Sequence, residues 1–403
     1  MKWTSTWLAL TLATVSLGLA ACGTISRPED GVLRASVPLR AVADPRINAR
    51  DAVRLRALEG DIVGRMSASG DASILSISGG GANGAYGAGV IVGWTKTGDR
   101  PSFPIVTGVS TGALTAPFAF LGPDWDDELA AAYAGGQAHQ LLNWRRLAAL
   151  VAPSLYSPTT LRDLIQHSVT PRMLSQIAAE HAKGRRLLVV TTNLDTEETV
   201  IWDMGLIATQ GGPQGLRLFR DVLLASASIP GVFPPVIIGA RSSDGRVVGE
   251  MHVDGGVNTP FLAVPEGLLL WTAPCSLAKG GGLYVLVNSK VAPDRQITRG
   301  RLPDILKRSY DSGSKASLRV HLAGNAAFAK RNGMAIYVAS IPSDLQADSL
   351  DFNQNAMRAL FEAGRNSGMS GQAWRSVANL AEPSSPSPSA PGPSATPPAR
   401  AVP

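Results

Sequence analysis

Ser110 lies between two glycines at the end of a short apolar run, in the stretch GVSTG at residues 108–112. A serine hydroxyl is inert at its free pKa and becomes a nucleophile only beside a base. A nucleophile on a sharp strand-to-helix turn also needs small neighbours, because the strained backbone leaves little room for side chains. Gly108 and Gly112 meet that need. The motif therefore predicts either a nucleophilic serine or a tight turn without chemistry.

A glycine-rich stretch, SGGGANGAYGAG at residues 78–89, follows an earlier predicted strand. Its glycines would expose backbone N–H groups at a helix N-terminus, where such groups stabilise a negative oxygen. The spacing also fits a dinucleotide-binding loop, but that interpretation needs an acidic residue at the end of the next strand. The next strand ends VTGVS, and the lysine of a phosphate-binding loop is absent as well. We therefore favour a loop whose exposed glycine N–H groups stabilise a negative oxygen.

Asp254 is the candidate for the base. It follows a predicted strand at residues 247–253 and precedes Gly255 and Gly256. A carboxylate close to a serine in a dry pocket has a raised pKa and can accept a proton. A lone Asp-Gly-Gly is usually only a turn. Its significance comes from its combination with the other two motifs.

The sequence does not identify any histidine as an alternative base. A hydrolase triad in an α/β fold has the chain order Ser, Asp, His. Of the five histidines, His321 alone follows Asp254, and it lies in a helical-looking stretch. His252 shares a face of the predicted strand with Asp254, and we expect it to pack there. The remaining three are His139, His167 and His181.

Strands and helices alternate around these motifs. Short apolar runs precede both glycine turns, and further strands are predicted at residues 186–193, 247–253 and 283–288. Helices are predicted at residues 44–67, 158–168, 217–226 and 353–379. This alternation predicts an α/β fold whose mostly parallel central sheet is covered by helices on both faces. Composition agrees, because 45% of residues are hydrophobic and only 17% are charged.

The three motifs, in this order, resemble those of the patatin-like phospholipase family. They stand at residues 79–84, 108–112 and 254–256, and ASASIPGVFPPV at residues 225–236 looks like a further segment of that family. The resemblance covers roughly residues 72–340. It implies a dyad of Ser110 as nucleophile and Asp254 as proton acceptor, with an acyl-ester substrate and neither cofactor nor metal. The resemblance also implies that Gly79, Gly80 and Gly81 form the oxyanion loop. The motif glycines carried over are Gly79, Gly80, Gly81, Gly84, Gly108, Gly112, Gly255 and Gly256.

One position departs from the family pattern. Asn83 stands where the family usually has arginine or lysine. The departure removes a fixed positive charge near the acyl site. A neutral lipid, a short ester or a lysolipid is then as credible a substrate as a diacyl phospholipid.

The N-terminus is typical of an exported protein. Lys2 precedes an apolar stretch and the sequence LAAC, which resembles a bacterial lipoprotein box. That resemblance implies cleavage before Cys22 and acylation of this cysteine, which would anchor the protein in the bacterial cell envelope. Gly23, in place of aspartate, resembles outer-membrane sorting. An ordinary signal peptide that contains a cysteine is the alternative.

The sequence thus predicts five regions: a signal peptide (1–21), a tether and N-terminal helix (22–70), a catalytic domain (71–345), a C-terminal helical segment (346–380) and a disordered Pro/Ser/Ala-rich tail (381–403). The net charge of +6 includes no long basic run, so nucleic-acid binding has little support. Two other hypotheses remain: a nucleotide-dependent protein, and an anchored lipoprotein that uses the same scaffold only for binding. The oligomeric state is not indicated.

Overall fold

The computed structural model describes residues 37–38, 44–66, 73–135, 158–241, 247–269 and 281–377. The predicted signal peptide, Cys22, most of the tether and the C-terminal tail lie outside the described residues, as does Cys275. Among the described helices, none is both long enough and apolar enough to cross a bilayer.

Strands and helices alternate along the described chain, as the sequence predicts. The strands are β1 (Val37–Pro38), β2 (Arg46–Asn48), β3 (Ile74–Ile77), β4 (Ile105–Val109), β5 (Arg186–Asn193), β6 (Glu198–Asp203), β7 (Val236–Arg241), β8 (Val247–Asp254), β9 (Gly282–Val287), β10 (Ala335–Ser340) and β11 (Arg375–Ser376). The helices are α1 (Ala52–Met66), α2 (Gly84–Thr95), α3 (Thr111–Leu121), α4 (Asp126–Ala134), α5 (Pro158–Ser168), α6 (Pro171–Ala182), α7 (Met204–Thr209), α8 (Gly212–Ser226), α9 (Glu266–Leu269), α10 (Leu302–Arg331) and α11 (Gln354–Met369).

The strands form one sheet in the order β1-β7-β8-β5-β4-β3-β9-β10-β11, with β6 also paired to β5 and β2 paired to β6. The five central strands are, in order across the sheet, β5, β4, β3, β9 and β10, and they run parallel to one another. Strands β7 and β8 on one side, and β11 on the other, are antiparallel. The predicted α/β fold is therefore confirmed, and strand 247–254 belongs to its antiparallel side.

Alternating strand residues divide the core into two layers, one on each face of the sheet. Leu75 of β3 packs in a layer with α2, α3 and α8. Its neighbour Ile74 packs in the opposite layer, with Leu55 of α1 and Leu318 of α10. Because side chains alternate across a strand, a strand buried on both faces needs apolar residues throughout. The sequence LLVV in β5 is an example.

Helix α11 packs closely on α2 because both helices present glycines at the contact. A Cβ atom at Gly368 would lie 2.5 Å from the carbonyl oxygen of Val90, and one at Gly93 would lie 2.9 Å from the carbonyl carbon of Arg365. The glycine-rich sequence of α2 therefore has two uses. Its start contributes to the predicted oxyanion loop, and its outer face admits the C-terminal helix.

Three predicted helix boundaries are wrong. The helix predicted over residues 217–226 begins earlier, at Gly212, with Pro213 in its first turn. The N-terminal helix begins at Ala52 and not at residue 44, because Arg46–Asn48 pairs with β6 as a strand. The C-terminal helix ends at Met369 and not at residue 379. Gly371 follows with a φ of 70°, and the chain then joins the sheet edge as β11. In the last two cases sheet pairing displaces a helical pattern, which local periodicity cannot anticipate.

Candidate active site

Ser110 occupies a strained turn between β4 and α3. Its φ of 57° and ψ of −127° lie in a region that residues with a side chain rarely adopt. The two flanking glycines permit the turn. A Cβ at Gly112 would lie 2.6 Å from the carbonyl oxygen of Ser78, and one at Gly108 would lie 2.6 Å from the Cα of Ala113. Of the two interpretations of GVSTG, this geometry matches a nucleophile turn.

Asp254 reaches the same place from the antiparallel side of the sheet. It ends β8, where it pairs with Thr191 of β5, while Val109 of β4 pairs with Val190. Adjacent residues of β5 therefore align the end of β4 with the end of β8. The amide of Asp254 donates to the carbonyl of Ser228 (3.0 Å), which fixes the turn.

The Ser110 hydroxyl donates a hydrogen bond of 2.6 Å to Oδ2 of Asp254. Both residues are buried. Burial raises the pKa of Asp254 from 3.8 to about 7, although the hydrogen bonds from Ser110 and from the Gly256 amide favour the ionised form. A carboxyl with such a pKa exchanges a proton readily near neutral pH, which suits a general base.

The glycine loop lies directly against the serine. Gly80 and Gly81 adopt positive φ values of 159° and 56°, and their amides donate to no described protein group. The Gly79 amide donates to the carbonyl of Pro260 (3.1 Å), so the expectation that Gly79 also serves as a donor is wrong. Gly79 instead allows close approach, because a Cβ there would lie 3.1 Å from the Cβ of Ser110.

An apolar cavity opens beside Ser110. The cavity is open to solvent, and its exposed lining is predominantly carbon. Ser110 and Gly81 are part of this lining. The walls include Leu114, Phe118, Leu161, Ile165, Leu223 and Met357.

The two histidines considered beside Asp254 have other partners. His321 lies in α10, where its Nδ1 is 2.9 Å from the carbonyl oxygen of Ser317. His252 is fully buried, with Nδ1 3.0 Å from the Thr191 hydroxyl and Nε2 3.3 Å from Glu250. Burial lowers the pKa of His252. Neither histidine hydrogen-bonds to Ser110 or Asp254.

Two of the remaining motif glycines, Gly84 and Gly255, lie where side chains would collide, whereas Gly256 is less restricted. A Cβ at Gly255 would lie 2.5 Å from the carbonyl oxygen of Val190, and one at Gly84 would strike the Thr111 side chain. Asn83 is buried, and its Oδ1 has no hydrogen-bond partner among the described residues. The position therefore brings no charge to the loop.

Ser226 and Ser228 support the pair, although the sequence motifs predict no individual role for either residue. The amide of Ser110 donates to the Ser226 hydroxyl (3.0 Å), which in turn donates to the carbonyl of Val190 (2.7 Å). Ser228 holds Asp254 through its backbone carbonyl. The signal available in the sequence was the stretch ASAS, whose serines are small polar residues beside an apolar helix end.

No cluster of three or more histidine, cysteine, aspartate or glutamate side chains suited to a metal occurs within the described ranges. The amides of Gly80 and Gly81 are available to donate hydrogen bonds to an anionic oxygen. Together with the hydroxyl and the carboxyl, they form the parts required for acyl transfer.

Comparisons with known proteins identify a matching family model and a similar solved structure. The model of a family described as patatin-like phospholipase matches residues 75–265, which confirms the resemblance over that stretch. The matched stretch includes the glycine loop, Ser110 and Asp254. Among solved structures, VipD from Legionella pneumophila is similar at 13% identity, with a TM-score of 0.36, covering 74% of this chain and 67% of that one. The search of curated proteins found no match.

Proposed function

We propose that this protein is a serine lipid acyl hydrolase that cleaves carboxylic esters through Ser110 and Asp254. The observation that carries the proposal is the 2.6 Å hydrogen bond from a strained, buried serine to a carboxyl whose pKa is raised to about 7. The match of residues 75–265 to the patatin-like phospholipase family supports the same class of reaction. The proposed chemistry is of the phospholipase A, lysophospholipase or esterase type.

The first half-reaction acylates the enzyme. Ser110 Oγ attacks the ester carbonyl carbon while its proton passes to Oδ2 of Asp254. The carbonyl oxygen becomes negative and accepts hydrogen bonds from the amides of Gly80 and Gly81. The loss of one such donor typically raises the barrier by about 3–4 kcal/mol. When the carbon–oxygen bond breaks, the departing alcohol takes the proton from Asp254.

The second half-reaction returns the enzyme to its starting state. Water attacks the acyl-serine carbonyl and gives a proton to the Asp254 carboxylate. The tetrahedral intermediate again places its negative oxygen at the glycine amides. As the bond to Ser110 Oγ breaks, Asp254 returns the proton to the serine, and a carboxylic acid leaves. This dyad requires neither a histidine nor a cofactor.

The apolar cavity supports a fatty acyl group on the acid side of the ester. Its carbon-rich walls begin at Ser110, so an acyl chain whose carbonyl lies at the serine would extend along Leu114, Phe118 and Ile165. Burial of each methylene stabilises binding by about 0.8 kcal/mol. Asn83 of the glycine motif is neutral, so this position does not attract an anionic head group by charge.

The protein would act in the bacterial cell envelope. Acylation of Cys22 would hold it at a membrane, and Gly23 favours the outer membrane. An anchor of this type raises the local concentration of lipid substrate without changing the chemistry.

A fluorophosphonate probe tests the proposal, because it labels only an activated serine. We expect the native chain to be labelled, Ser110→Ala to lose labelling, and His321→Ala to retain it. A panel of lipids that differ in head group and acyl length would then identify the substrate. Absence of labelling in the correctly folded native chain would favour a binding scaffold. Loss of labelling in a folded His321→Ala variant would indicate a catalytic triad that includes His321, in place of the proposed dyad.

A further inference from the structure

In the first half of α10 the large apolar side chains are exposed and the polar side chains are partly buried, which is the opposite of the usual arrangement. Its partly buried positions are polar or charged, and they follow a helical period: Asp304, Lys307, Arg308, Asp311, Ser314 and Lys315. Its exposed positions include the large apolar residues Leu302, Ile305, Leu306 and Tyr310. A helix of a globular protein normally directs its apolar stripe toward the core. Here that stripe faces away from the protein.

The exposed apolar area is large for so short a segment. Leu302 is 68% exposed, Leu306 60%, Ile305 45% and Tyr310 44%. The preceding loop adds Ile297, which is 96% exposed. We name Ile297, Leu302, Ile305, Leu306 and Tyr310 the apolar face. Large apolar side chains exposed along one segment of a helix and its preceding loop are typical of an interaction surface.

Positive charge is concentrated around the apolar face. Residues 290–319 contain eight basic and three acidic side chains, a net charge of +5, while the whole chain carries +6. Arg295, Arg299 and Arg301 are exposed and make no ion pair with any described residue. They lie in the loop and the helix start beside Ile297 and Leu302. The surface is thus both apolar and cationic.

The same half of α10 borders the candidate active site. Tyr310 is 44% exposed overall, but its hydroxyl end is buried, and this burial and the charge of Asp254 raise the pKa of Tyr310. The phenol oxygen therefore lies within electrostatic reach of the dyad. Lys307 pairs with Asp348 (2.9 Å), and the carbonyl of the next residue, Ser349, accepts a hydrogen bond from Ala82 in the glycine loop. The apolar face therefore lies near the mouth of the site.

We propose that the apolar face and the three arginines Arg295, Arg299 and Arg301 form a docking surface for an anionic lipid membrane. The apolar side chains enter the boundary between head groups and acyl chains, and the guanidinium groups contact lipid phosphates. Docking in this way would present the site to lipid in the bilayer. The surface lies outside residues 75–265 and does not depend on the chemistry of Ser110.

Charge favours a membrane over a second copy of the chain. In a two-fold symmetric dimer the same patch meets itself, so the three arginines would approach their own copies. Repulsion between like charges opposes that contact. An anionic membrane instead supplies the opposite charge over an area wide enough for both the loop and the helix. The charge complementarity also predicts that binding weakens with salt.

Local fluorescence can test the docking surface in the full chain. An environment-sensitive fluorophore is attached at Leu306→Cys in a background of Ser110→Ala, Cys22→Ser and Cys275→Ser. This background excludes lipid hydrolysis, acylation at residue 22 and labelling at other cysteines. Vesicles contain either phosphatidylcholine alone or a mixture with phosphatidylglycerol. We expect a blue shift with the anionic vesicles, and reversal of the shift in 0.5 M NaCl as an approximate screening condition.

The matched control carries the same fluorophore at Val53→Cys, because Val53 is 79% exposed on α1. We expect no blue shift there. Replacement of the three arginines by glutamine should weaken vesicle binding about 100-fold, at roughly one kcal/mol for each charge. Replacement of the exposed Arg50, Arg217 and Arg375 by glutamine removes the same charge elsewhere and should have little effect.

Three outcomes would overturn the docking surface. The shift at residue 306 could be absent with every vesicle. It could persist in the arginine variant with unchanged affinity. It could also occur without vesicles as protein concentration rises, which would show that a second copy covers the face. Because the background lacks Ser110, these results are independent of catalysis. Probe labelling of the native chain reports separately on the proposed hydrolase.

Discussion

The turn after β4 and the turn after β8 bring the two site residues together by different physical means. Ser110 is held by backbone strain, since its φ is 57° and backbone atoms crowd both flanking glycines. Asp254 has an ordinary φ of −47° and is controlled by burial and hydrogen bonds. Steric restriction fixes the direction of the nucleophile, whereas desolvation sets the proton affinity of the base. Substitutions at the serine turn should therefore act mainly through steric clashes, and substitutions at the aspartate turn mainly through the loss or altered proton affinity of the base.

The largest expected effect is on catalysis through Asp254. Asp254→Asn keeps the shape and an acceptor oxygen but removes the base, so we expect kcat/KM for a soluble ester to fall about 10,000-fold. In the native chain, kcat/KM should rise with pH through about 7, because only the ionised carboxylate accepts the proton. A pH–rate profile on both chains measures this. Retention of substantial activity in Asp254→Asn would assign the base elsewhere.

Stability should also depend on pH through the same carboxyl. Its pKa in the folded protein, about 7, lies above the ordinary value of 3.8, so between these pH values the folded state retains a proton that the unfolded chain has released. Stability therefore falls as pH rises from about 4 to about 7, by up to about 4 kcal/mol. Asp254→Asn should lack this decline. Urea unfolding across pH tests it, and parallel curves for the two chains would contradict it.

The steric difference between the turns predicts the third effect. Gly112→Ala places a methyl group 2.6 Å from a backbone oxygen, so we expect a loss of about 3 kcal/mol in the free energy of unfolding. Gly256→Ala meets chiefly one side-chain oxygen, Asp254 Oδ1, at 3.0 Å and should cost less than about 1 kcal/mol. Urea midpoints compare the two variants directly. Equal losses would mean that the Asp254 turn is as tightly restricted as the serine turn.

The smallest expected effect concerns the support of the serine turn by Ser226. Ser226→Ala removes the acceptor of the Ser110 amide and should destabilise the protein by about 1–3 kcal/mol, with a lower kcat. Ser228→Ala is the matched control, because its hydroxyl bonds only to Leu224 and its contact with Asp254 is made by backbone. Steady-state kinetics on both variants separates them. If Ser228→Ala lowers kcat equally, the Ser226 hydroxyl has no special role.

Local sequence was sufficient for the parts of the site that depend on short spacing. Gly108 and Gly112 flank Ser110 because the turn cannot accept larger residues, and that requirement is visible in five consecutive letters. Gly79 shows the limit. Its conformation fits the predicted loop, but its amide is occupied by Pro260, which is 181 residues away along the chain. Spacing cannot show which of several adjacent amides remains free.

The exposed face of α10 could not be predicted from its sequence pattern. Leu302, Ile305 and Leu306 have the spacing of a core-facing stripe, and the periodicity of a helix does not state which side meets the protein. That orientation follows from the second half of the helix, where Leu318, Leu322 and Phe328 pack in the core. The same limitation explains the boundary errors at Ala52 and Met369, where strands of distant sequence provided pairing partners.

The amino-acid sequence by itself determined the fold class, the serine turn, the glycine loop and the aspartate that follows a strand, because each depends on properties of neighbouring residues. Tertiary structure alone decided that β5 aligns Ser110 with Asp254, that burial raises the pKa of this carboxyl, and that Gly80 and Gly81 keep free amides. Those features depend on contacts between segments more than sixty residues apart along the chain. Desolvation and hydrogen-bond competition are properties of such contacts, so they exist only in the folded chain.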